Sequence, residues 1–176
     1  MKKYHFKEAT PFIAFIEKNK SQIIGNTLNK LHTLYWPEPN WRTMSVETVI
    51  LEIGNVCVSI DYFIPSDIEI RVGSKNLFEA DKYYSEVMNF RNTFIDYFGE
   101  EFGRGIKKEL IENRVIEAIE IERFSEAFEI NPCTEETRPD GGDYFSTIRV
   151  RLDSNVTLCF CGAESICDGY IYVWCE

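Results

Sequence analysis

Between Val46 and Val72 the chain alternates apolar and polar positions three times over. Val49, Leu51 and Ile53 alternate with Thr48, Ile50 and Glu52. Val56, Val58, Ile60 and Tyr62 alternate with Cys57, Ser59 and Asp61, and Ile68, Ile70 and Val72 with Asp67, Glu69 and Arg71. A period of two marks strands with one buried face, so this stretch predicts a three-stranded antiparallel meander. Gly54-Asn55 suits a two-residue turn with glycine in the first central position, where a positive φ is needed. Such a turn pairs Ile53 with Val56, Leu51 with Val58 and Val49 with Ile60. A slip of one residue would turn half of these side chains into water. Across Ile64-Pro65-Ser66, pairing Tyr62 with Ile68 extends the same apolar face.

The end of the chain shows the same period. Ile148, Val150 and Leu152 alternate with Thr147, Arg149 and Arg151. After Asp153-Ser154-Asn155, Val156, Leu158 and Phe160 alternate with Thr157, Cys159 and Cys161. Pairing Leu152 with Val156 predicts a second meander, and Tyr170 to Cys175 reads as its closing strand. Other stretches follow the helical period. Thr10-Pro11 starts a helix with a hydroxyl cap and a proline at the first position, and Phe12, Ile13, Phe15 and Ile16 form its stripe. Ile24, Leu28, Leu31 and Tyr35 predict a second helical segment. A long helix is expected from Leu77 to Phe98, with Asn76 and Glu79 as a capping box and Gly99 as its stop. Its stripe of Tyr84, Val87, Met88, Ile95 and Phe98 is the expected cover for the first meander's apolar face. A short helix follows over Ile106 to Asn113. Val115 to Ile130 leans to strand, because Ile119 and Ile121 alternate with Glu120 and Glu122, with a helix left open.

The expected fold class is α+β. It comprises two antiparallel β-meanders, in one mixed sheet or two packed sheets, with N-terminal helices and a long central helix packed on the sheet. At 176 residues a single domain over 1–176 is the simplest reading. An apolar fraction of 44% argues against disorder. No apolar run approaches the length that spans a bilayer and the first residues do not read as a signal peptide, which points to a cytoplasmic protein.

Charge changes the picture more than composition does. The formal net charge is −10, which argues against binding to a nucleic-acid backbone. The N-terminal part is basic, with Lys2, Lys3, Lys7, Lys18, Lys20 and Lys30, while the acidic residues gather in the second half, from Glu109 to Glu136. Such an acidic surface steers basic protein partners.

Candidate chemistry is sparse. Cys159 and Cys161 lie two apart on one strand, with Cys167 and Cys175 beyond, but the C-x-x-C turns typical of structural zinc are absent. Reduced thiols, packed as small hydrophobes, fit these four and Cys57 and Cys133 better. His5 falls in a frayed terminus and His32 at the edge of a helix stripe, neither at a catalytic spacing. The Arg138-Pro139-Asp140-Gly141-Gly142-Asp143 loop lacks the ligand ladder of an EF-hand. Gly99 to Gly105 follows a helix and lacks the Lys-Ser/Thr ending of a phosphate loop. No catalytic residue, metal or cofactor is expected.

The expected function is therefore that of a non-catalytic protein-binding protein. The physical character resembles that of bacterial immunity proteins: a small acidic inhibitor that neutralises a basic toxin or enzyme by steering and by occluding its active site. The residues expected to meet the partner are Trp36, Glu38 and Trp41 in an aromatic loop, with Glu100, Glu101, Glu120, Glu122, Glu135, Glu136, Asp140 and Asp143. Tryptophan suits this role because it buries a large area with few rotors. Two alternatives stand beside it. One is a small enzyme or ligand binder built from scattered Asp, Glu, Tyr and Cys, marked by a carboxylate and a thiol converging in an apolar pocket. The other is a subunit of a larger complex that pairs through a sheet edge. The first meander's second face, with Ile50 and Cys57 beside Glu52, Asp61, Glu69 and Arg71, is neither plain core nor plain surface.

Overall fold

The computed structural model describes residues 1–35, 44–64, 67–89, 108–124, 144–164 and 169–176. The strands are β1 (Lys2–Phe6), β2 (Thr27–Tyr35), β3 (Met44–Ile53), β4 (Val56–Ile64), β5 (Asp67–Ser74), β6 (Arg114–Phe124), β7 (Tyr144–Leu152), β8 (Thr157–Glu164) and β9 (Gly169–Cys175). The helices are α1 (Ala9–Asn19), α2 (Lys75–Ala80), α3 (Lys82–Asn89) and α4 (Lys108–Ile111), with a 3-10 turn at Lys20–Gln22. The α+β class holds. Among the described residues all nine strands join one sheet in the order β1-β5-β4-β3-β2-β6-β7-β8-β9. Every pairing in it is antiparallel, so it is neither a mixed sheet nor two packed ones.

The sheet also curls back on itself. The start of β3 pairs with β9 through Met44↔Val173 and Val46↔Ile171, while its later half pairs with β4. β2 meets β6 through Thr27↔Val115 and Leu28↔Arg114. Strands β3, β2, β6, β7, β8 and β9 thus form a closed circuit, and β4, β5 and β1 branch from it as a wing. Where β4 leaves β3 it crosses β8. A Cβ on Gly162 would stand 2.4 Å from the Phe63 carbonyl oxygen, so glycine is what allows this approach.

The β3–β4 register is the one the alternation predicts: Ile53↔Val56, Leu51↔Val58 and Val49↔Ile60. Gly54 takes φ +56° in the turn. The β4–β5 register differs from expectation. A bulge between Ile60 and Tyr62 puts Tyr62 opposite Glu69 and Phe63 opposite Ile68, because the extra residue reverses which side chains point inward.

Two helical expectations change, and so does the expectation for the N-terminus. The segment expected to be helical from Ile24 to Tyr35 is β2. A register shift between Leu28 and Lys30 inserts one residue, so that Leu28 and Leu31, both in the core, lie three apart and imitate a helical stripe. The helix expected from Leu77 to Phe98 instead begins at Lys75 and is broken at Asp81, whose ψ is 126°. The Asp81 carboxylate accepts bonds from the Tyr83 and Tyr84 amides at 3.0 and 3.4 Å and so starts α3 anew. Residues 90–98 lie outside the described residues. The N-terminus, expected to fray, is strand β1, paired with β5 from Lys2↔Val72 to Phe6↔Ile68.

The cover of the sheet also differs. The first meander's apolar face packs against α1. Phe12 and Ala9 are fully buried with Val49, Leu51, Ile60 and Ile70. Phe15 lies 4.5 Å from Tyr4 and 5.2 Å from Phe6, ring to ring. The helices α2 and α3 cover the opposite face, where Phe78, Tyr84 and Val87 pack on Ile50 and Cys57. Among the described residues no helix is long and apolar enough to cross a membrane.

Candidate functional site

Two of the expected partner-facing residues, Glu120 and Glu122, fall among the described residues. Trp36, Glu38, Trp41, Glu100, Glu101, Glu135, Glu136, Asp140 and Asp143 lie outside them, as do Gly99 to Gly105, Cys133 and Cys167. Glu120 and Glu122 stand exposed on β6. Their position follows from the alternation. Ile119 and Ile121 turn into the core opposite Val150 and Ile148, so the glutamates between them turn outward.

This outward surface is an ordered ladder of charge. Arg149, across from Glu120 on β7, donates to Glu122 at 2.6 Å and lies 3.8 Å from Glu176. Arg151 lies 3.4 Å from Glu117. Among the described residues no ion-pair partner of Glu120 is seen. The carboxylates of Glu117, Glu120, Glu122 and Glu176 therefore outnumber the two guanidiniums they surround. The bond it donates to Glu122 raises the Arg149 guanidinium further above its ordinary value, against the pull of burial. Exposed ion pairs of this kind are worth little.

A second polar assembly lies beneath α2 and α3, on the mixed face. His32, placed by its sequence at the edge of a helix stripe, is a buried β2 residue, 7% exposed. Its Nε2 lies 2.7 Å from Glu52 Oε1, and Lys75 of α2 donates to Glu52 Oε2 at 3.0 Å. Burial pushes the Glu52 carboxyl up, but the bonds from Lys75 and His32 prevail and hold it below its ordinary value. Four residues beyond Cys57, the β4 partner of Glu52, Asp61 goes the other way. Burial raises its carboxyl although Tyr84 donates to it at 2.7 Å and Arg71 Nε lies 3.2 Å away. Arg71 continues to Glu69, and Glu69 to Lys3 at 2.6 Å. Thr48 and Tyr83 share a bond of 2.7 Å. These groups tie α2 and α3 to the sheet. The alternation of β3, β4 and β5 announces their acidic members, but Lys75 and His32 come from other elements and had no signal in that pattern.

The thiols among the described residues are packed rather than poised. Burial pushes Cys57 and Cys159 each up to about 11 and Cys175 up to about 12, so none supplies a thiolate near neutral pH. Among the described residues no group of three or more His, Cys, Asp or Glu is placed to hold a metal. The inner face holds a cavity of about 50 Å³, lined by apolar side chains alone. Glu52 and Cys57, the carboxylate and thiol that an enzymatic pocket would recruit, lie across the sheet from it. No protein family, curated protein or solved structure matches this chain.

Proposed function

We propose that this protein binds a basic protein partner without catalysis, acting as an inhibitor of the immunity type that occludes the partner's working surface. The observation that carries the reading is the outward ladder on β6 and β7. There Glu120 and Glu122 are exposed, side by side, on a strand whose other face is locked into the core. A rigid strand fixes the spacing of its carboxylates before the partner arrives, which reduces the ordering cost of association. The net charge of −10 adds long-range attraction for a cationic surface. Arg149 and Arg151 hold Glu122 and Glu117 in place until a partner's lysines or arginines replace them. The Trp36 to Trp41 segment supplies the aromatic anchors in this reading.

The experiment is co-expression with the product of the gene adjacent to this one in its source genome. Protection of the host from that product, lost in the Glu120→Lys/Glu122→Lys double variant, is the expected result. An adjacent product that is not basic, or protection unchanged by the charge reversal, would remove the reading.

A further inference from the structure

Along part of its length β6, the strand that carries the outward glutamates, is an edge of the sheet. It shares two register pairs with β2, Thr27↔Val115 and Leu28↔Arg114. The backbone contact ends at Ile116, which accepts from the Gly25 amide at 2.8 Å and donates to the Asn26 carbonyl at 3.0 Å. The chain arrives there from α1 and turns into line with β2 at Gly25, whose φ is +81°. β6 runs on past that point. Over residues 117–121 it pairs with β7 on one side, and among the described residues no backbone hydrogen bond is made on its other side. Beyond this stretch Arg123 donates to Thr10 of α1 at 2.9 Å. The open edge between these two ties is about 16 Å long at the rise of a strand.

The backbone groups of such an edge are a template for another strand, and the side chains decide which strand. Glu117, Glu120 and Glu122 are exposed on it. Ile119 and Ile121 pack on the core but are only half-buried, so part of their hydrocarbon stays in water. A second copy of β6 would set glutamate against glutamate, and like charges directly opposite one another destabilise a strand pair. A strand with lysine or arginine at every second position, and apolar residues between, satisfies both sides. Its cations stand beside Glu120 and Glu122, and its apolar side chains cover Ile119 and Ile121. The terminal strand β1 has the sequence Lys2-Lys3-Tyr4-His5-Phe6 and offers a cationic strand no carboxylate of its own.

We infer that the basic partner is held by strand addition: an extended segment of it, alternating basic and apolar residues, pairs with the edge of β6 at residues 117–121, in line with β2. The inference rests on the proposed function for the existence and charge of the partner, and adds the form in which it binds. In such pairing main-chain bonds supply affinity and the alternating side chains supply selectivity.

The test is a titration of the intact, nitrogen-labelled protein with a capped eight-residue peptide of alternating lysine and valine. The control peptide has the same composition with all its lysines before all its valines. The expected result is saturable binding of the alternating peptide, with backbone amide exchange slowed about tenfold within residues 117–121 and unchanged in β1. The block-ordered peptide should bind at least fivefold more weakly. Glu120→Lys/Glu122→Lys should weaken the alternating peptide at least tenfold. The milder Glu120→Gln, at least twofold weaker, keeps the test open if the double variant does not fold. Binding that is lost on charge reversal but leaves those amides unprotected, or that is equal for the two peptides, would overturn strand addition and leave a basic partner standing. Absence of saturable binding would also overturn strand addition, and the host-protection experiment would still decide the partner. Binding indifferent to both variants would overturn strand addition and the acidic docking surface together.

Discussion

At the scale of single residues, Gly162 is the tightest constraint in the described sheet. An added methyl would meet the Phe63 carbonyl carbon and oxygen at 2.5 and 2.4 Å, both backbone atoms that cannot rotate away. Gly162→Ala should therefore cost about 2 kcal/mol or more through forced backbone shifts, read as a lower urea midpoint at unchanged slope. The buried carboxylates give a second, pH-dependent expectation. Glu52 has a folded pKa below its ordinary value of 4.5. Its contribution to stability is fully present above that value and is lost as pH falls through the folded one. Asp61 is opposite in sign. Its folded pKa lies above 3.8, so its ionisation lowers stability as pH rises from 3.8 through the folded value. Glu52→Gln should then destabilise by about 2 kcal/mol at neutral pH, leaving Lys75 and His32 poorly paired, and by less near pH 3. Asp61→Asn should flatten the loss seen on raising the pH. Urea midpoints across about pH 3 to 6 for the three proteins check both signs.

At the scale of elements, the helices divide their work between the two faces of the sheet. Phe12 carries α1 into the main core, whereas α3 rests on a small cluster and on polar ties. Phe12→Ala should cost about 4 kcal/mol, and Asp81→Ala, which removes the cap that starts α3, about 1 kcal/mol. Equal losses in the unfolding midpoints of the two variants would contradict this division. The same elements show what could be read in advance. The β3–β4 hairpin was legible because Gly54 fixes the turn and the turn fixes the register. β2 was not, because the bulge near Leu28 gave a strand the spacing of a helix. β1 was legible in principle, since Tyr4 and Phe6 alternate with Lys3 and His5, but at five residues the signal is short. The break at Asp81 was hidden inside an otherwise continuous helical stripe. An aspartate there stops one helix only because the Tyr83 and Tyr84 amides turn toward it. Of the candidate site, the outward pair Glu120 and Glu122 followed directly from the period of two on β6. The buried polar assembly followed only in half, because pairing across elements is a property of the fold.

At the scale of the whole molecule, the sheet separates three surfaces that chemistry would otherwise mix. The inner face is apolar and holds the cavity. The mixed face is sealed by α2 and α3. The outward face of β6 and β7 presents carboxylates to solvent, backed by a net charge of −10. That this last surface meets a basic protein is the proposed function. It is tested most directly by capture from extracts of the native host on immobilised protein, comparing wild type, Glu120→Lys/Glu122→Lys and a charge control, Glu8→Lys, on the exposed start of α1. A basic protein should be retained by wild type and by Glu8→Lys, released by about 0.5 M salt, and not retained by the double variant. Retention of the same protein by all three, indifferent to salt, would contradict it.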